Sequence, residues 1–350
     1  MTTAEAAREL VREGRIFGAG ATAQEQVWRR FALTFVISLF GGLGLIYIAL
    51  LAIDPYDTGR FPTFIEPGIS HDSKRMGDAS RGRDPQFDVP ILGNLRNEQL
   101  DPERLSVATG RSFVQLTTPG SGPSEHMTMM RYFMRHHPGL AAIVLNVDER
   151  WCTHDPRLPE GYPFPFWLYR GNIEYLANLL RSRAIMYAQK RIAFALGAAR
   201  TDPRGFFDYE VGLERVYEQP DLSADAVMPG AGLVPNTYFP AMEEFDRVLA
   251  ELRPETPVMI VVPPVHMAFL VNLPPQVAAD LPACKAALAR RIAGRPRSAF
   301  LDYMVDSPIT RSAANFIDPD HYRRNIAGII EARIAEVLNG AAAANEADRP

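Results

Sequence analysis

Cysteine is scarce in this chain: Cys152 and Cys284 are the two among 350 residues. Neither has a C-x-x-C neighbour, and two thiols are too few for a structural zinc site. They are either two buried thiols or one disulfide, a choice that depends on compartment. A strong field of one sign is also lacking, since the net charge is −4 and the pI about 6.0. With no Lys/Arg-rich run either, nucleic acid is excluded as a partner. No internal repeat or low-complexity segment is present. At 47% hydrophobic and 22% charged residues, the bulk of the chain is not disordered, and its length fits one large domain with appendages.

The missing charge has one local concentration. Phe31 to Ile53 carries no charged side chain, which is long enough to cross a hydrocarbon core of ~30 Å as a helix. Arg8, Arg12, Arg15, Arg29 and Arg30 precede it, whereas Asp54 and Asp57 follow it and the next basic residue is Arg60. That asymmetry predicts a single-pass inner-membrane protein with a cytoplasmic N-terminus and a periplasmic main domain. A cleaved signal peptide is the competing reading, with Ala49 and Ala52 near the end, but the charged region before the span is longer than such signals have. An exported body would permit a Cys152–Cys284 disulfide.

Residues 1–30 read as a cytoplasmic segment, an amphipathic helix or a solvated leader. Residues 54–86, rich in Pro, Gly, Asp and Arg, read as an extended connection lying on the body. From 87 onward short apolar runs alternate with 3.6-residue periodicity, which predicts an α/β domain over 87–340 with a mostly parallel sheet. Strands are expected at 87–93, 112–117, 141–147, 257–263 and 298–303, and helices at 123–136, 170–198, 238–253, 275–294 and 321–339. Pro90 argues for an edge or a bulge in the first strand. Residues 151–235 are too long for one crossover and form an insertion, whose run "GYPFPFWLYR" reads first as packing. The last ten residues, 341–350, are expected to fray.

In an open α/β sheet the ligand-binding edge lies at the carboxyl ends of the strands. The residues there are Gly93-Asn94-Leu95-Arg96, Thr118-Pro119-Gly120-Ser121-Gly122, Asp148-Glu149-Arg150 and His266, and "NFIDPDHYR" adds Asp318 and His321 at the start of the last helix. This arrangement resembles the SGNH (GDSL-like) hydrolase superfamily, and more narrowly the exported, membrane-anchored SGNH-like proteins related to alginate-type O-acetyltransferases. The resemblance covers about residues 54–340 in order and spacing. It implies a three-layer flavodoxin-like fold, a serine in a Gly-x-Ser turn after the first strand, an oxyanion-hole glycine after the second, and an Asp-x-x-His pair near the C-terminus. Carried over, "GNLR" puts Leu95 at the serine position, "TPGSG" offers Gly120, and "DPDH" gives Asp318 and His321. The Gly-x-Asn-Asp motif has no match, and "LNVDERW" occupies its place.

In such a site the histidine takes the serine proton, the aspartate holds the imidazole tautomer, and backbone N–H groups stabilise the oxyanion. Leucine has no lone pair to attack with, so serine-ester chemistry at position 95 is excluded. Gly93, Asn94, Gly120, Ser121, Asp148 and His266 remain as oxyanion or pocket residues around the degenerate pair Asp318 and His321. Bland readings stand beside these: Asp318 as a helix-terminal residue, Ser121 and Ser124 as turn residues, His266 as a satisfied surface histidine, Met127, Met129, Met130 and Met134 as core. His136 and His137 close a helix, where they favour its negative end. Asp148, Cys152, His154 and Asp155 fit no familiar metal spacing. Arg96 meets either an anionic substrate or Asp101.

No cofactor and no metal are expected. The resemblance implies a binding or accessory protein, a pseudoenzyme of cell-envelope polysaccharide modification, with a carbohydrate or acyl-ester ligand and a membrane acyltransferase or export component as partners. The alternative is an active acyl-ester hydrolase or O-acetyltransferase in which His321 works with another nucleophile or water. In a third reading the span itself is the working surface against a membrane acyltransferase, with Gly41, Gly42 and Gly44 permitting close helix approach.

Overall fold

A run of apolar side chains closed by Asp54 forms the first described element, helix α1 (Ala23–Ile53), which is long and apolar enough to cross a membrane. The computed structural model describes residues 23–68, 74–158, 163–198, 202–211, 217–218 and 226–340. The expectations for the segment before Ala23 and for the 341–350 tail lie outside the described residues. Two compact units divide the chain, Met1–Ala52 and Ile53–Pro350; the rest of this description concerns the second.

The connection expected over 54–86 contains a helix, α2 (Lys74–Arg81). Burial explains why a segment so poor in apolar residues is ordered. Asp57 accepts from Ser80 Oγ at 2.5 Å and pairs with the fully buried Arg191 at 2.8 Å. Burial opposes ionisation of Asp57, but Arg191 and Arg83 outweigh it and hold its pKa below the usual carboxylate value. Buried charged groups thus join the buried Tyr56 and Ala79 in ordering this segment.

Five parallel strands follow: β1 (Val89–Gly93), β2 (Phe113–Thr117), β3 (Ile143–Asn146), β4 (Val258–Val262) and β5 (Ala299–Asp302). They lie in the order β2-β1-β3-β4-β5, the flavodoxin-like order. Each falls inside the apolar run expected for it, and helices cover both faces of the sheet. One face packs Val89, Ile91, Val144, Met259 and Val261 against α3 (Pro102–Thr109) and the C-terminal helix. The other is covered by α4 (Pro123–His136), whose Met127, Met129, Met130 and Phe133 are buried as core.

Pro90 does not sit at an edge, because β1 lies between β2 and β3. The Val89 amide donates toward β2, to Ser112 O, while Asp88 O accepts from Ala141 on the opposite side. Pro90 therefore faces β3, between the Ala141 N to Asp88 O bond and the register that starts at Ile91↔Val144, so its missing N–H interrupts pairing with β3 locally.

The insertion holds α5 (Arg150–Thr153), α6 (Phe166–Tyr169), α7 (Asn172–Asn178) and α8 (Ser182–Ala195). The single helix expected over 170–198 is thus broken, the chain turning at buried Leu179 with Arg181 extended. After it come α9 (Pro240–Glu251), α10 (Met267–Leu270), α11 (Pro275–Ile292), α12 (Pro308–Arg311), a ribbon of β6 (Phe316–Asp318) and β7 (His321–Tyr322), and α13 (Arg324–Leu338). The last helix begins three residues later than its periodicity predicts. Asp318 Oδ1 accepts from the amides of both Asp320 and His321 at 3.0 Å, closing a hairpin turn where a helical turn was expected. Cys152 on α5 and Cys284 on α11 are disulfide-bonded, with Cα atoms 5.7 Å apart, which settles the choice left open by spacing.

Candidate functional site

β1 ends in a close approach to its neighbour strand β3. A Cβ at Gly93 would stand 2.5 Å from Asn146 Cβ on β3, so only glycine fits without a shift. Asn94 then leaves the strand and caps a 3-10 turn, Leu95–Asn97, by accepting from Arg96 N. Its side chain also accepts from Asn146 Nδ2 at 3.0 Å and donates to Asp148 Oδ2 at 2.6 Å. Gln115 of β2 braces the same turn from below, donating to the carbonyls of Asn97, Glu98 and Leu100. Leu95 is therefore held on a rigid loop at the carboxyl edge of the sheet.

The loop after β2 is a four-residue turn, Thr118 to Ser121, closed by Ser121 N donating to Thr118 O at 3.1 Å. Pro119 is second and Gly120 third, with φ +66° at the glycine, the conformation such a turn requires. After β3, buried Asp148 accepts from Arg150 N at 3.0 Å and from Arg150 Nε at 3.2 Å, which aims that guanidinium at Gly120 O, 3.0 Å away. Arg96 donates to Glu149 at 2.6 Å and lies 3.6 Å from Asp320, with Phe269 stacked beneath it at 4.8 Å. Its partner is thus Glu149 and not Asp101. Burial opposes its charge, yet the surrounding carboxylates raise its pKa further still.

These loops enclose a cleft of about 430 Å³, lined by Arg75, Asn94, Leu95, Arg96, Pro119, Gly120, Arg150, Asp320 and His321. The β6–β7 hairpin supplies its last wall. His321 Nδ1 lies 2.8 and 2.9 Å from the two oxygens of Asp318, so the ring is oriented and Nε2 is the nitrogen left over. His266 N donates to Pro319 O at 2.8 Å and fixes the hairpin to the loop after β4. Burial disfavours charge on His321, but hydrogen bonds to Asp318 and Asp320 and their charges prevail, lifting its pKa to about 9. That shift favours the imidazolium, a hydrogen-bond donor with no lone pair to receive a proton.

Asp318, Asp320 and His321 hold three possible ligand atoms within 4.8 Å of one another. The Arg96 guanidinium lies 3.6 Å from Asp320, so part of the negative charge of this cluster is met by an ion pair. Next to the turn Lys74 Nζ pairs with Glu98 at 2.8 Å. Burial pushes the lysine pKa down and the glutamate pKa up.

Among the residues singled out from sequence, the fold brings Asn94, Leu95, Gly120 and His321 to one cleft, with Gly93, Asp148 and Asp318 immediately behind. Ser121 and His266 are not part of its lining. Ser121 is fully buried and bonded to Gly93 O, Thr118 O and His126 Nε2, the last at 2.8 Å. Trp151 Nε1 donates to His126 Nδ1 at 3.2 Å, so in the neutral ring Nε2 carries the proton and donates to the serine. Burial, with Arg150 nearby, holds the His126 pKa down at about 3. That histidine cannot serve as a base toward Ser121, and the pair is a structural bond. His266 is buried as the cap of α10, its Nδ1 accepting from Ala268 N.

Arg75 was missed because it lies in the segment read as a connection, with no motif around it. It reaches the cleft by donating to Pro119 O and to Pro163 O. Asp320 was hidden inside the Asp-x-x-His spacing. Tyr209, whose ring meets His321 edge to face at 5.7 Å, comes from the insertion and carried no local signal. The chain matches no protein-family model and no curated protein.

Proposed function

We propose that the protein is a membrane-anchored binding or accessory component of cell-envelope polysaccharide modification, with a degenerate SGNH-type site that holds its ligand without cleaving it. The observation that carries this reading is Leu95, with no attacking oxygen, in one cleft with a His321 whose pKa is raised by Asp318 and Asp320. Neither an attacking oxygen nor a free base is offered there. The 2-1-3-4-5 strand order is compatible with the SGNH frame. The placement of the main domain outside the cytoplasm draws support from the arginines before the span, and from the Cys152–Cys284 bond, which persists in oxidising compartments. Arg75, Arg96, Arg150 and His321 line the cleft, and although Arg96, Arg150 and His321 already pair with carboxylates, this concentration of donors favours a ligand bearing an anionic group, such as an acidic carbohydrate.

The intact Asp318–His321 bond favours a second reading, an acyl-ester hydrolase or O-acetyltransferase using water or another hydroxyl. Acetyl-ester hydrolysis by the full chain in detergent micelles separates the two. The unmodified protein is expected to be silent, and Leu95→Ser to gain turnover that rises as pH approaches about 9, where His321 loses its proton. Turnover by the unmodified protein that disappears in His321→Ala would overturn the binding reading. Silence from Leu95→Ser at every pH, with the fold intact, would overturn the SGNH frame.

A further inference from the structure

Helix α8 has two apolar faces where a surface helix ordinarily has one. Its inner face buries Ala184, Tyr187 and Ala188. Its outer face exposes Ile185, Met186 and Ile192, and Leu196 just beyond its end is 78% exposed. On the preceding helix and turn, Ile173 and Leu180 are exposed as well, Ile173 by 82%. The charge around them is one-sided. Glu174 is the sole acid in residues 170–198, against Arg170, Arg181, Arg183, Lys190 and the buried Arg191. Arg170, Arg181 and Arg183 are exposed.

What these helices hold gives the surface an occupant. Arg191 Nε of α8 donates to Ile53 O at 2.8 Å, and Tyr175 OH of α7 donates to Asp54 Oδ1 at 2.6 Å. Ile53 is the last residue of the apolar helix and Asp54 the first after it. Both helices thus hold the residues that directly follow the apolar helix, which in a membrane-crossing chain lie close to the lipid headgroups. An exposed apolar stripe flanked by basic residues is the composition of a helix lying in a membrane interface, where apolar burial and attraction to anionic headgroups act together.

We propose that the outer face of α7 and α8 lies in the headgroup region of the bilayer that α1 crosses, with anionic phospholipid as its partner. The inference depends on α1 spanning a membrane and is independent of what the cleft binds. Ile185, Met186, Ile192 and Leu196 then insert toward the acyl chains, and Arg181 and Arg183 meet phosphate.

The test is spin-label accessibility in the full chain, reconstituted in vesicles of phosphatidylcholine with phosphatidylglycerol. Labels at Ile185→Cys and Ile192→Cys are compared with one at Val107→Cys, which is exposed on α3. The ratio of collisions with oxygen to collisions with a water-soluble nickel chelate is expected to be several-fold higher at 185 and 192 than at 107, and to fall when phosphatidylglycerol is omitted. A ratio equal to that at 107 would show a water-facing surface and overturn the proposal. Protection from both reagents would show coverage by protein, a second copy or another chain, and would overturn it equally. A high ratio that is indifferent to phosphatidylglycerol would remove the anionic lipid as the partner.

Discussion

His321 shows how far one side chain can be moved from its ordinary chemistry by its neighbours. Its folded pKa of about 9 lies above the usual 6.5, so the folded state binds the proton more tightly than the unfolded chain. The resulting stabilisation is complete below about pH 6.5 and is lost as pH rises through about 9. On the order of 3 kcal/mol is at stake at full effect, from about 1.4 kcal/mol per pKa unit. Thermal unfolding across that window should therefore show a falling Tm in the unmodified protein and a flatter profile in His321→Gln. Equal slopes in the two would show that the imidazolium contributes nothing. Ser121 illustrates the opposite case: its residue type and loop position fitted a pocket group, and its burial against His126 and two carbonyls made it structure.

Elements owe their positions here to close backbone approaches as much as to apolar faces. The strands followed from short apolar runs, because parallel strands covered on both faces read as continuous hydrophobic segments. Helix α4 was equally legible, from its periodicity over 123–136. Helix α2 was not, since a helix held by Asp57 on its Ser80 and by Thr118 on its Asp78 carries no apolar stripe to find. The β6–β7 hairpin was misread as the opening of α13 because an aspartate that caps a helix and one that closes a turn look alike in sequence. The approach of β1 to β3 gives a test at this scale. Gly93→Ala places a methyl group 2.5 Å from Asn146 Cβ, and the strands must part to admit it. A loss of about 1–3 kcal/mol in unfolding free energy is expected, as for other overpacked sites. An unfolding midpoint unchanged from the parent would show that the contact relaxes freely.

At the scale of the whole molecule the disulfide is the longest covalent constraint, joining residues 132 apart in sequence. It ties the start of the insertion to α11, so the loop it closes contains the rest of the insertion together with α9, β4 and α10. Cross-linking a loop of this length restricts the unfolded chain, and its removal from a folded domain costs about 2–5 kcal/mol. Reduction of the full chain, or Cys152→Ala with Cys284→Ala, should lower the urea midpoint accordingly. A midpoint that ignores reductant would mean that packing of α5 on α11 already fixes this region.

The sequence by itself determined the apolar helix, the α/β alternation, the five strands and the proximity of Asp318 to His321, because each depends on residues within a few positions of one another. Tertiary structure alone decided that the cysteines meet, that Arg75 of the first segment reaches the cleft and Tyr209 of the insertion meets its histidine, and that Ser121 and His266 turn away from the cleft. Those outcomes join positions far apart in the chain, and only the order in which strands lie side by side brings such positions within bonding distance.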